Sequence, residues 1–364
     1  MKVMSVFGTR PEAIKMCPII KELQKRNIKN VICLTGQHEQ MLYQIMNIFN
    51  ITEDYNLHIM QHNQSLSDVT CKIISNIDVV LKKENPDIVL VHGDTSSSFA
   101  AALAAFYHHV PIGHVEAGLR TYNLQSPYPE EFNRHVVDLI ADYLFAPTKY
   151  AKRQLIAEGK DKKSIFITGN TVIDTMKYTI NENYTDSNIQ WCGKNKMILL
   201  TTHRRENIGQ PMEQIFEAVN RIVSENANVR VIYPIHKNPQ IREIAYRYFN
   251  NKEHIRMLEP LDVFTFHNYI NKSYLILTDS GGIQEEASYL GKPVLVLRDT
   301  TERPEGVESG VLKVIGTQMK DIFQETQKLL NNKEEYENMS NTICPYGDGR
   351  AAEYIVNILI DKFS

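Results

Sequence analysis

Several sequence features that mark particular classes of protein are missing from these 364 residues. No cluster of Lys and Arg stands out and the formal net charge is −3, which disfavours a nucleic acid or an anionic membrane as a partner. No apolar run reaches the roughly 18 residues that a membrane-spanning helix needs. The apolar run before Gly8 is too short for a signal peptide, so we expect a cytoplasmic protein.

Patterns that bind metals or dinucleotides are missing too. The five cysteines are scattered and have no CxxC spacing, which argues against a disulfide framework and fits a reducing compartment. His203 and His236 lie far apart without an HxxH or HxH pattern, so a zinc site is disfavoured. The first predicted strand ends in VFGTRPEAIK rather than GxGxxG, which disfavours a nicotinamide dinucleotide.

The chain does contain a regular alternation of two patterns. Short β-branched runs alternate with longer helical patterns in the first half, and after a polar segment the alternation begins again at residue 196. Alternating units of this kind predict doubly wound parallel sheets with helices on both faces. We therefore expect an α/β protein with two Rossmann-like domains.

Three acids follow predicted strands of the first half, or lie on the loop after them. Asp94 follows VLVHG, Glu116 follows IGHV, and Glu130 lies on the proline-stiffened segment PYPEEFNR. Ligands of open α/β sheets bind beyond the carboxyl ends of the strands, so we expect these acids to face one cleft between the domains. Crowding of like charges is expected to raise some of their pKa values. The structural alternatives are that Asp94 caps a helix and that Glu130 pairs with Arg134.

The second half offers groups that bind anions. The segment LTDSGGIQEEA predicts a strand, a tight turn at Ser280, Gly281 and Gly282, and a helix whose first N–H groups can bind a phosphate. Glu286, one turn into that helix, is placed to accept hydrogen bonds from ribose hydroxyls. The alternative is an ordinary turn with acids at a helix start. Further cationic or imidazole groups near strand ends are Arg10, Lys15, His203, Arg204, His236 and Arg303.

A ligand with one polyanionic end and one hydroxyl-rich end fits this division, and a nucleoside diphosphate sugar has both. Glycosyl transfer and elimination of the nucleotide are its two natural reactions. Three carboxylates exceed what a simple transferase needs, and they suit an oxocarbenium ion together with proton transfer at the neighbouring carbon. A glycosyltransferase of the same fold and a nucleotide-sugar-binding regulator without chemistry are the alternatives.

Motifs along nearly the whole chain together resemble one known family. In chain order they are FGTRPEAIKM, VHGDT, HVEAGLRT, YPEEFNR, GNTVID, HRREN, YPIHKNP, LTDSGGIQEEA, LRDTTERPE and PYGDG. They are similar to the motifs of the bacterial non-hydrolysing UDP-N-acetylglucosamine 2-epimerases. The runs TRPEA and PEE resemble that group rather than the hydrolysing epimerases, which release free N-acetylmannosamine.

The resemblance implies a glycosyltransferase-B-like fold, with two Rossmann-like domains facing a cleft and a C-terminal helix that crosses back. The N-terminal domain would comprise residues 1–168 and 349–364, and the C-terminal domain residues 169–348. The implied reaction is reversible interconversion of UDP-GlcNAc and UDP-ManNAc, by elimination of UDP to 2-acetamidoglucal and re-addition, with no metal and no cofactor. The family also suggests a homodimer, and a product used for a cell-surface polysaccharide.

The resemblance assigns roles to residues of this chain. Acid/base and cation-stabilising groups, with a histidine beside the leaving phosphate, would be Asp94, Glu116, Glu130 and His203. Substrate contacts would be Arg10, Lys15, Arg134, Phe266 (against uracil), Ser280, Gly281, Gly282, Glu286 and Arg303. A regulatory UDP-GlcNAc site would lie near Gln37, Gln40, Arg204 and His236. Asn63 departs from the family pattern, because some relatives carry there an Arg that binds the regulatory nucleotide.

Overall fold

The computed structural model describes residues 1–37, 39–61 and 64–363, apart from the side chains of residues 39–41. Backbone contacts divide the chain into two units, Met1–Tyr178 with Tyr346–Ser364, and Thr179–Pro345. In the described residues each unit contains a parallel sheet, and the buried apolar side chains pack around that sheet.

The sheet of the first unit is built from the β-branched runs of the first half. Its strands are β1 (Lys2–Phe7), β2 (Lys29–Leu34), β3 (Tyr55–Asn56), β4 (Ile88–His92), β5 (Ile112–Val115), β6 (Tyr143–Ala146) and β7 (Ile165–Ile167). Over the described residues their order across the sheet is β3-β2-β1-β4-β5-β6-β7, and the paired strands are parallel. Strand β4 is buried at every position, as expected for a parallel strand covered on both faces.

Helices connect the strands of the first unit. They are α1 (Arg10–Lys25), α2 (Glu39–Phe49), α3 (Leu66–Glu84), α4 (Ser96–Tyr107), α5 (Glu130–Ile140), α6 (Lys149–Ala157) and α7 (Thr171–Thr179). Helix α1 begins at a capping box, in which the Thr9 amide donates to the Glu12 carboxylate over 2.7 Å and the Glu12 amide donates to the Thr9 hydroxyl. The sequence TRPE thus fixes where the chain turns from β1 into α1.

The second unit repeats the alternation. Its strands are β8 (Lys196–Thr201), β9 (Val229–Pro234), β10 (Ile255–Leu258), β11 (Leu275–Thr278), β12 (Val294–Val296) and β13 (Leu312–Val314). Its helices are α8 (Ser187–Cys192), α9 (Gln210–Glu225), α10 (Pro239–Phe249), α11 (Val263–Lys272), α12 (Gly281–Tyr289), α13 (Pro304–Ser309), α14 (Met319–Asn331) and α15 (Lys333–Ser340). Across the described part of the chain, no helix is both long and apolar enough to cross a membrane.

The strand order reverses direction within each sheet. In the second unit the described strands follow the order β10-β9-β8-β11-β12-β13, so the reversal lies between β8 and β11, as it lies between β1 and β4 in the first unit. This is the order of a doubly wound Rossmann sheet. The predicted α/β fold class with two Rossmann-like domains is therefore confirmed. Ligands of such sheets bind beyond the strand ends at the reversal, which directs attention to the loops after β1, β4, β8 and β11.

The last helix, α16 (Ala351–Phe363), folds with the first unit and packs against α1. Asp174 on α7 accepts hydrogen bonds from the amides of Ala351 and Ala352 over 3.1 and 3.0 Å. A carboxylate at a helix N-terminus satisfies amides that have no partner within the helix and interacts favourably with the helix dipole. Asp174 therefore holds the start of α16.

Asp174 makes the stability of the first unit dependent on pH. Burial raises its pKa to about 6 from an ordinary value of 3.8, although the two amides act in the opposite direction. Its contribution to stability is therefore greatest below about pH 4 and is lost as the pH rises through about 6. Asp174→Asn cannot ionise, so its unfolding free energy relative to wild type should increase between pH 4 and pH 7 in urea titrations. The exposed variant Asp361→Asn is the control, and parallel curves for Asp174→Asn and wild type would contradict the prediction.

Candidate functional site

The loops at the strand reversal of the first unit carry the predicted acids Asp94 and Glu116. Strands β4 and β5 are neighbours, with His92 paired to Val115, so the residues that follow them emerge side by side. A Cβ atom on Gly93 would lie 3.8 Å from the Glu116 carboxylate. The structure thus brings together the two loops on which Asp94 and Glu116 lie.

Glu116 is held in an unusual backbone conformation. Its φ is +68°, a left-handed value that costs energy in any residue with a side chain. Its carboxylate forms an ion pair with Lys15 of α1 and accepts a hydrogen bond of 2.8 Å from Asn170 Nδ2. Nε2 of His92 lies 3.8 Å from the other carboxylate oxygen. Strained backbone fixed by its surroundings is typical of functional sites.

The charge state of Glu116 differs from the expectation. Burial alone would raise its pKa, but the Lys15 ammonium and the His92 ring outweigh burial and hold the pKa well below its ordinary value. The expectation that crowded acids raise one another's pKa is therefore wrong for Glu116, because the charged group in contact with it is a cation. Glu116 is ionised at neutral pH.

Asp94 forms an ion pair with Arg134 of α5, and the contacts around these two residues exclude both structural alternatives considered for them. The cap of α4 is Thr95, whose hydroxyl accepts an amide hydrogen bond of 3.1 Å. In the described residues Arg134 pairs with Asp94 and, at 3.4 Å, with Glu131, and not with Glu130. The alternatives of a capping Asp94 and of a Glu130–Arg134 pair are therefore wrong.

Glu130 and Glu131 are adjacent at the start of α5 but have different surroundings. Glu131 is fully buried, and one of its oxygens accepts the amides of Thr121 and Tyr122 over 2.9 and 2.8 Å. Glu130 is half-buried, and its carboxylate makes no hydrogen bond or ion pair with the residues that the structure describes. Glu131 therefore holds the preceding loop, whereas Glu130 is available to a ligand.

Glu12 organises these loops, although no functional role was predicted for it. Its Oε2 accepts the amides of Gly8 and Thr9 over 3.0 and 2.7 Å, and its Oε1 accepts the hydroxyls of Thr95 and Ser98 over 2.7 and 2.8 Å. The buried carboxylate thus joins the loop after β1 to the loop after β4. The capping-box spacing TxxE is the sequence signal for the first of these two contacts, and nothing in the sequence signals the second.

The other predicted residues of the first unit lie on the same loops or beyond the described part. Arg10 is the first residue of α1 and is half-buried. Gln37, after β2, accepts a hydrogen bond of 3.0 Å from the hydroxyl of Ser97 on α4. The side chain of Gln40 and the whole of Asn63 lie outside the described residues.

In the second unit, Asp279 after β11 holds the loop after β8. Its fully buried carboxylate accepts the amides of His203 and Arg204 over 3.0 and 2.9 Å. It also accepts the Thr202 hydroxyl and the side-chain amide of Asn207, both over 3.0 Å. Asp279 was not among the predicted residues, although an acid directly after an apolar strand was a visible signal. The orientation of His203 and Arg204 depends on it.

His203 and His236, predicted at two separate strand ends, stack on each other. Their ring centroids are 5.7 Å apart, with 21° between the ring planes. Burial lowers the pKa of His203, and the neighbouring Arg204 and His236 add to this effect, while Asp279 opposes it. His203 is 38% exposed. It is therefore a largely neutral imidazole at neutral pH that a ligand can reach.

The start of α12 has the form that an anion site requires. No side chain of the described residues caps its first amides after Ser280. A Cβ atom on Gly282 would meet nothing within 4 Å, whereas one on Gly281 would lie 2.8 Å from the Glu302 carboxylate. The amides of the first turn can therefore be approached on the side of Gly282. Glu286, one turn further on, is mostly buried.

The arginines near this turn have carboxylate partners. Arg303 pairs with the buried Glu285, and Glu302 pairs with Arg204 over 3.1 Å and with Arg298 over 2.5 Å. Burial alone would raise the pKa of Glu302, but Arg303 and Arg298 lower it to about 2. An anionic ligand at this turn would therefore bind beside arginines whose charges are already paired with carboxylates. Phe266, on α11, is half-buried against the apolar residues of this unit.

Each unit thus carries some of its predicted residues on the loops that follow its strands, such as Asp94 and Glu116 in the first unit and His203 in the second. Others lie on helices, such as Arg134 on α5 and Phe266 on α11. Within the described residues, no group of three or more His, Cys, Asp or Glu side chains could hold a metal ion. A family model described as UDP-N-acetylglucosamine 2-epimerase matches residues 21–360. The chain belongs to the UDP-N-acetylglucosamine 2-epimerase family. A UDP-N-acetylglucosamine 2-epimerase of Bacillus subtilis is 52% identical over 361 residues, which cover 99% of this chain and 95% of that protein.

Solved structures of UDP-N-acetylglucosamine 2-epimerases have the same fold. The Neisseria meningitidis enzyme bound to UDP-GlcNAc has a TM-score of 0.90 and 44% identity, covering 99% of this chain and all (100%) of that one. The Methanocaldococcus jannaschii enzyme in complex with UDP-GlcNAc and UDP has a TM-score of 0.81 and 35% identity, with the same coverage. The predicted family and enzyme class are therefore confirmed, and the roles of individual residues stay predictions.

Asp279 offers a test of how the loop after β8 is held. Asp279→Asn places an NH₂ group among four donors, so we expect the unfolding free energy to fall by about 2–4 kcal/mol. Urea unfolding followed by circular dichroism measures this change. The exposed variant Asp299→Asn in the same unit is the control and should stay near wild type. A fall of less than about 1 kcal/mol for Asp279→Asn would show that the loop does not depend on this carboxylate.

Proposed function

We propose that this chain interconverts UDP-GlcNAc and UDP-ManNAc by inverting C2 of the sugar, without hydrolysing the nucleotide sugar. Membership of the UDP-N-acetylglucosamine 2-epimerase family and the relatives solved with UDP-GlcNAc and UDP support this proposal. The observation that carries it is the set of acids at one sheet edge, Asp94, Glu116 and Glu130, because binding a nucleotide requires none of them.

The proposed chemistry is an elimination followed by an addition. The C1–O bond to UDP breaks and UDP leaves with the electron pair, and a base then removes the C2 proton, which leaves 2-acetamidoglucal. In the return step a UDP oxygen bonds to C1, and an acid delivers a proton to the opposite face of C2. No net oxidation occurs. Loss of UDP comes first because the C2 proton is not acidic until positive charge develops at C1.

The surroundings of the three acids suit different parts of this chemistry. Glu116, kept ionised beside Lys15, suits stabilisation of positive charge on the sugar ring. Glu130 has no partner among the described residues, so it suits transfer of the C2 proton. Asp94, paired with Arg134, suits a second acid/base role in which the arginine balances its charge.

We propose that the second unit binds the uridine diphosphate. The uncapped start of α12 at Ser280 supports a diphosphate site, with Arg303 as a further contact. His203, as a neutral imidazole, can donate one hydrogen bond to the leaving phosphate. Glu286 would accept the ribose hydroxyls and Phe266 would contact uracil.

Four further features are proposed from the family resemblance. The protein would be a cytoplasmic homodimer, and its product would supply N-acetylmannosamine-type sugars for a cell-surface polysaccharide. UDP-GlcNAc would also act at a regulatory site that includes Gln37, Arg204 and His236. The stacking of His236 on His203 supports the part of this proposal that links the regulatory residues to the reaction.

The decisive experiment follows the C2 proton. UDP-GlcNAc is incubated with the protein in D₂O, and NMR is used to observe C2 and the sugar products. We expect deuterium at C2 together with UDP-ManNAc, because the acid that delivers a proton to the opposite face of C2 has exchanged its own proton with the solvent. Free N-acetylmannosamine would indicate a hydrolysing enzyme instead, an acceptor-dependent product a glycosyltransferase, and an unchanged spectrum a binding protein.

The roles of Glu116 and Glu130 are tested by replacing each acid with glutamine, which has the same shape but no charge. Glu116→Gln and Glu130→Gln should each reduce turnover by roughly 100-fold or more, because charge stabilisation and proton transfer contribute factors of that size. UDP affinity, measured by calorimetry, should stay within about threefold. The exposed variant Glu243→Gln is the control, and near-normal turnover in either acid variant would refute the role proposed for that acid.

A further inference from the structure

Asp138, on α5, is a buried carboxylate with partners in two other segments of the first unit. It is 1% exposed. Its Oδ1 lies 2.6 Å from Nδ1 of His114 on β5. Its Oδ2 accepts the Gly118 amide over 3.1 Å and Arg120 over 2.7 Å. Arg120 in turn forms two parallel hydrogen bonds with Glu158, of 2.7 and 2.6 Å. Asp138 thus contacts both β5 and the loop that follows it.

The protonation of this network follows from its partners. Burial alone would raise the pKa of Asp138, but His114 and Arg120 outweigh burial and hold the pKa below its ordinary value. The ionised carboxylate accepts from Nδ1 of His114. The other ring nitrogen, Nε2, lies 2.8 Å from the Gly93 carbonyl, which can only accept. Both ring nitrogens of His114 therefore lie at hydrogen-bond distance from oxygens, and the buried ring connects Asp138 to Gly93.

Each connection ends beside one of the three proposed acids. Gly93 immediately precedes Asp94. Gly118 follows two residues after Glu116, whose left-handed backbone persists only if its surroundings fix it. Helix α5, which carries Asp138, begins with Glu130 and also carries the Arg134 that pairs with Asp94. One carboxylate therefore links all three segments that carry an acid.

Folding alone does not require a charged group at this place. Well-packed apolar side chains of similar volume often stabilise a protein as much as a buried ion pair does. What a carboxylate adds is directional contact, because its two oxygens accept from donors on separate segments at fixed angles. Small misplacements of reacting groups cost large factors in rate, so such contacts matter most where several groups must act on one molecule.

We propose that Asp138 is a positioning residue of the C2 epimerisation: through His114 and Gly118 it fixes Asp94, Glu116 and Glu130 relative to one another. The inference rests on the proposed function. Asp138 itself is too deeply buried to touch a substrate. Its substitution should therefore affect the chemical step and leave nucleotide binding intact, because the groups proposed to bind UDP belong to the other unit.

The test is Asp138→Asn, which keeps the shape of the side chain but loses its charge and one acceptor. We expect kcat to fall by roughly 100-fold, with KM and the Kd for UDP within about threefold. The matched control is Ile77→Ala, a fully buried residue of α3 whose truncation destabilises the same core without touching these contacts. Its kcat, measured well below its unfolding temperature, should stay near wild type.

A double variant separates positioning from general destabilisation. If Asp138 acts through Glu116, the variant Asp138→Asn/Glu116→Gln should be little slower than Glu116→Gln alone, because residues that act as a unit are not additive. His114→Gln is the second variant, for use if Asp138→Asn fails to fold. It removes the imidazole that links Asp138 to Gly93 and leaves the contacts of Asp138 with Gly118 and Arg120 in place. It should lower kcat and leave the Kd for UDP unchanged.

The outcomes are distinguishable. A near-normal kcat in Asp138→Asn or, where that variant does not fold, in His114→Gln would overturn the inference. An equal loss in Ile77→Ala would overturn it as well, because it would indicate a structural role. Strictly multiplicative losses in the double variant would overturn the part of the inference that concerns Glu116. If wild-type protein in D₂O shows no exchange at C2 of UDP-GlcNAc, the proposed function itself fails.

Discussion

The loops at both strand reversals depend on one kind of interaction, a buried carboxylate whose hydrogen bonds join two different loops. In the first unit Glu12 accepts amides from the loop after β1 and hydroxyls from the start of α4. In the second unit Asp279, after β11, accepts the amides and hydroxyl of the loop after β8. Backbone amides at strand ends have no partner in the sheet, and water would satisfy them without fixing their direction. A carboxylate satisfies several at once and sets their geometry.

The electrostatics of the two units follow a common pattern as well. Carboxylates that would be costly to bury alone are accompanied by cations, Glu116 by Lys15 and Glu302 by Arg298 and Arg204. Burial and the neighbouring cation act in opposite directions on each pKa, and the cation prevails in both. The loops consequently carry fixed charges that change little around neutral pH. The electric field of these charges is therefore present before a charged ligand binds or a charged intermediate forms. Such a field can stabilise the new charge without any rearrangement of the protein.

Much of the fold could be predicted from the sequence, and less of the site. Continuous β-branched runs separated by helical patterns suffice for two doubly wound sheets, because strands buried on both faces must be apolar throughout. The loops were also predictable, since site residues follow strand ends. The partners were not: Glu12 accepts from Ser98, 86 positions away, and no local pattern records such a contact. For the same reason the sequence favoured a Glu130–Arg134 pair at helical spacing, whereas Arg134 pairs with Asp94 on another loop.

The exposed fraction of the side chain separates the acids of the first unit into two groups that the sequence does not distinguish. Glu131 and Asp138 are 0% and 1% exposed, and their oxygens accept from amides of the surrounding loops. Asp94 and Glu116 are 27% and 10% exposed, and they form ion pairs with Arg134 and Lys15. A carboxylate without access cannot meet a substrate, and a carboxylate committed to several amides cannot move a proton without losing them. Building the loops and reacting with the ligand are therefore incompatible tasks for one acid, which explains why this sheet edge carries more acids than a single reaction needs.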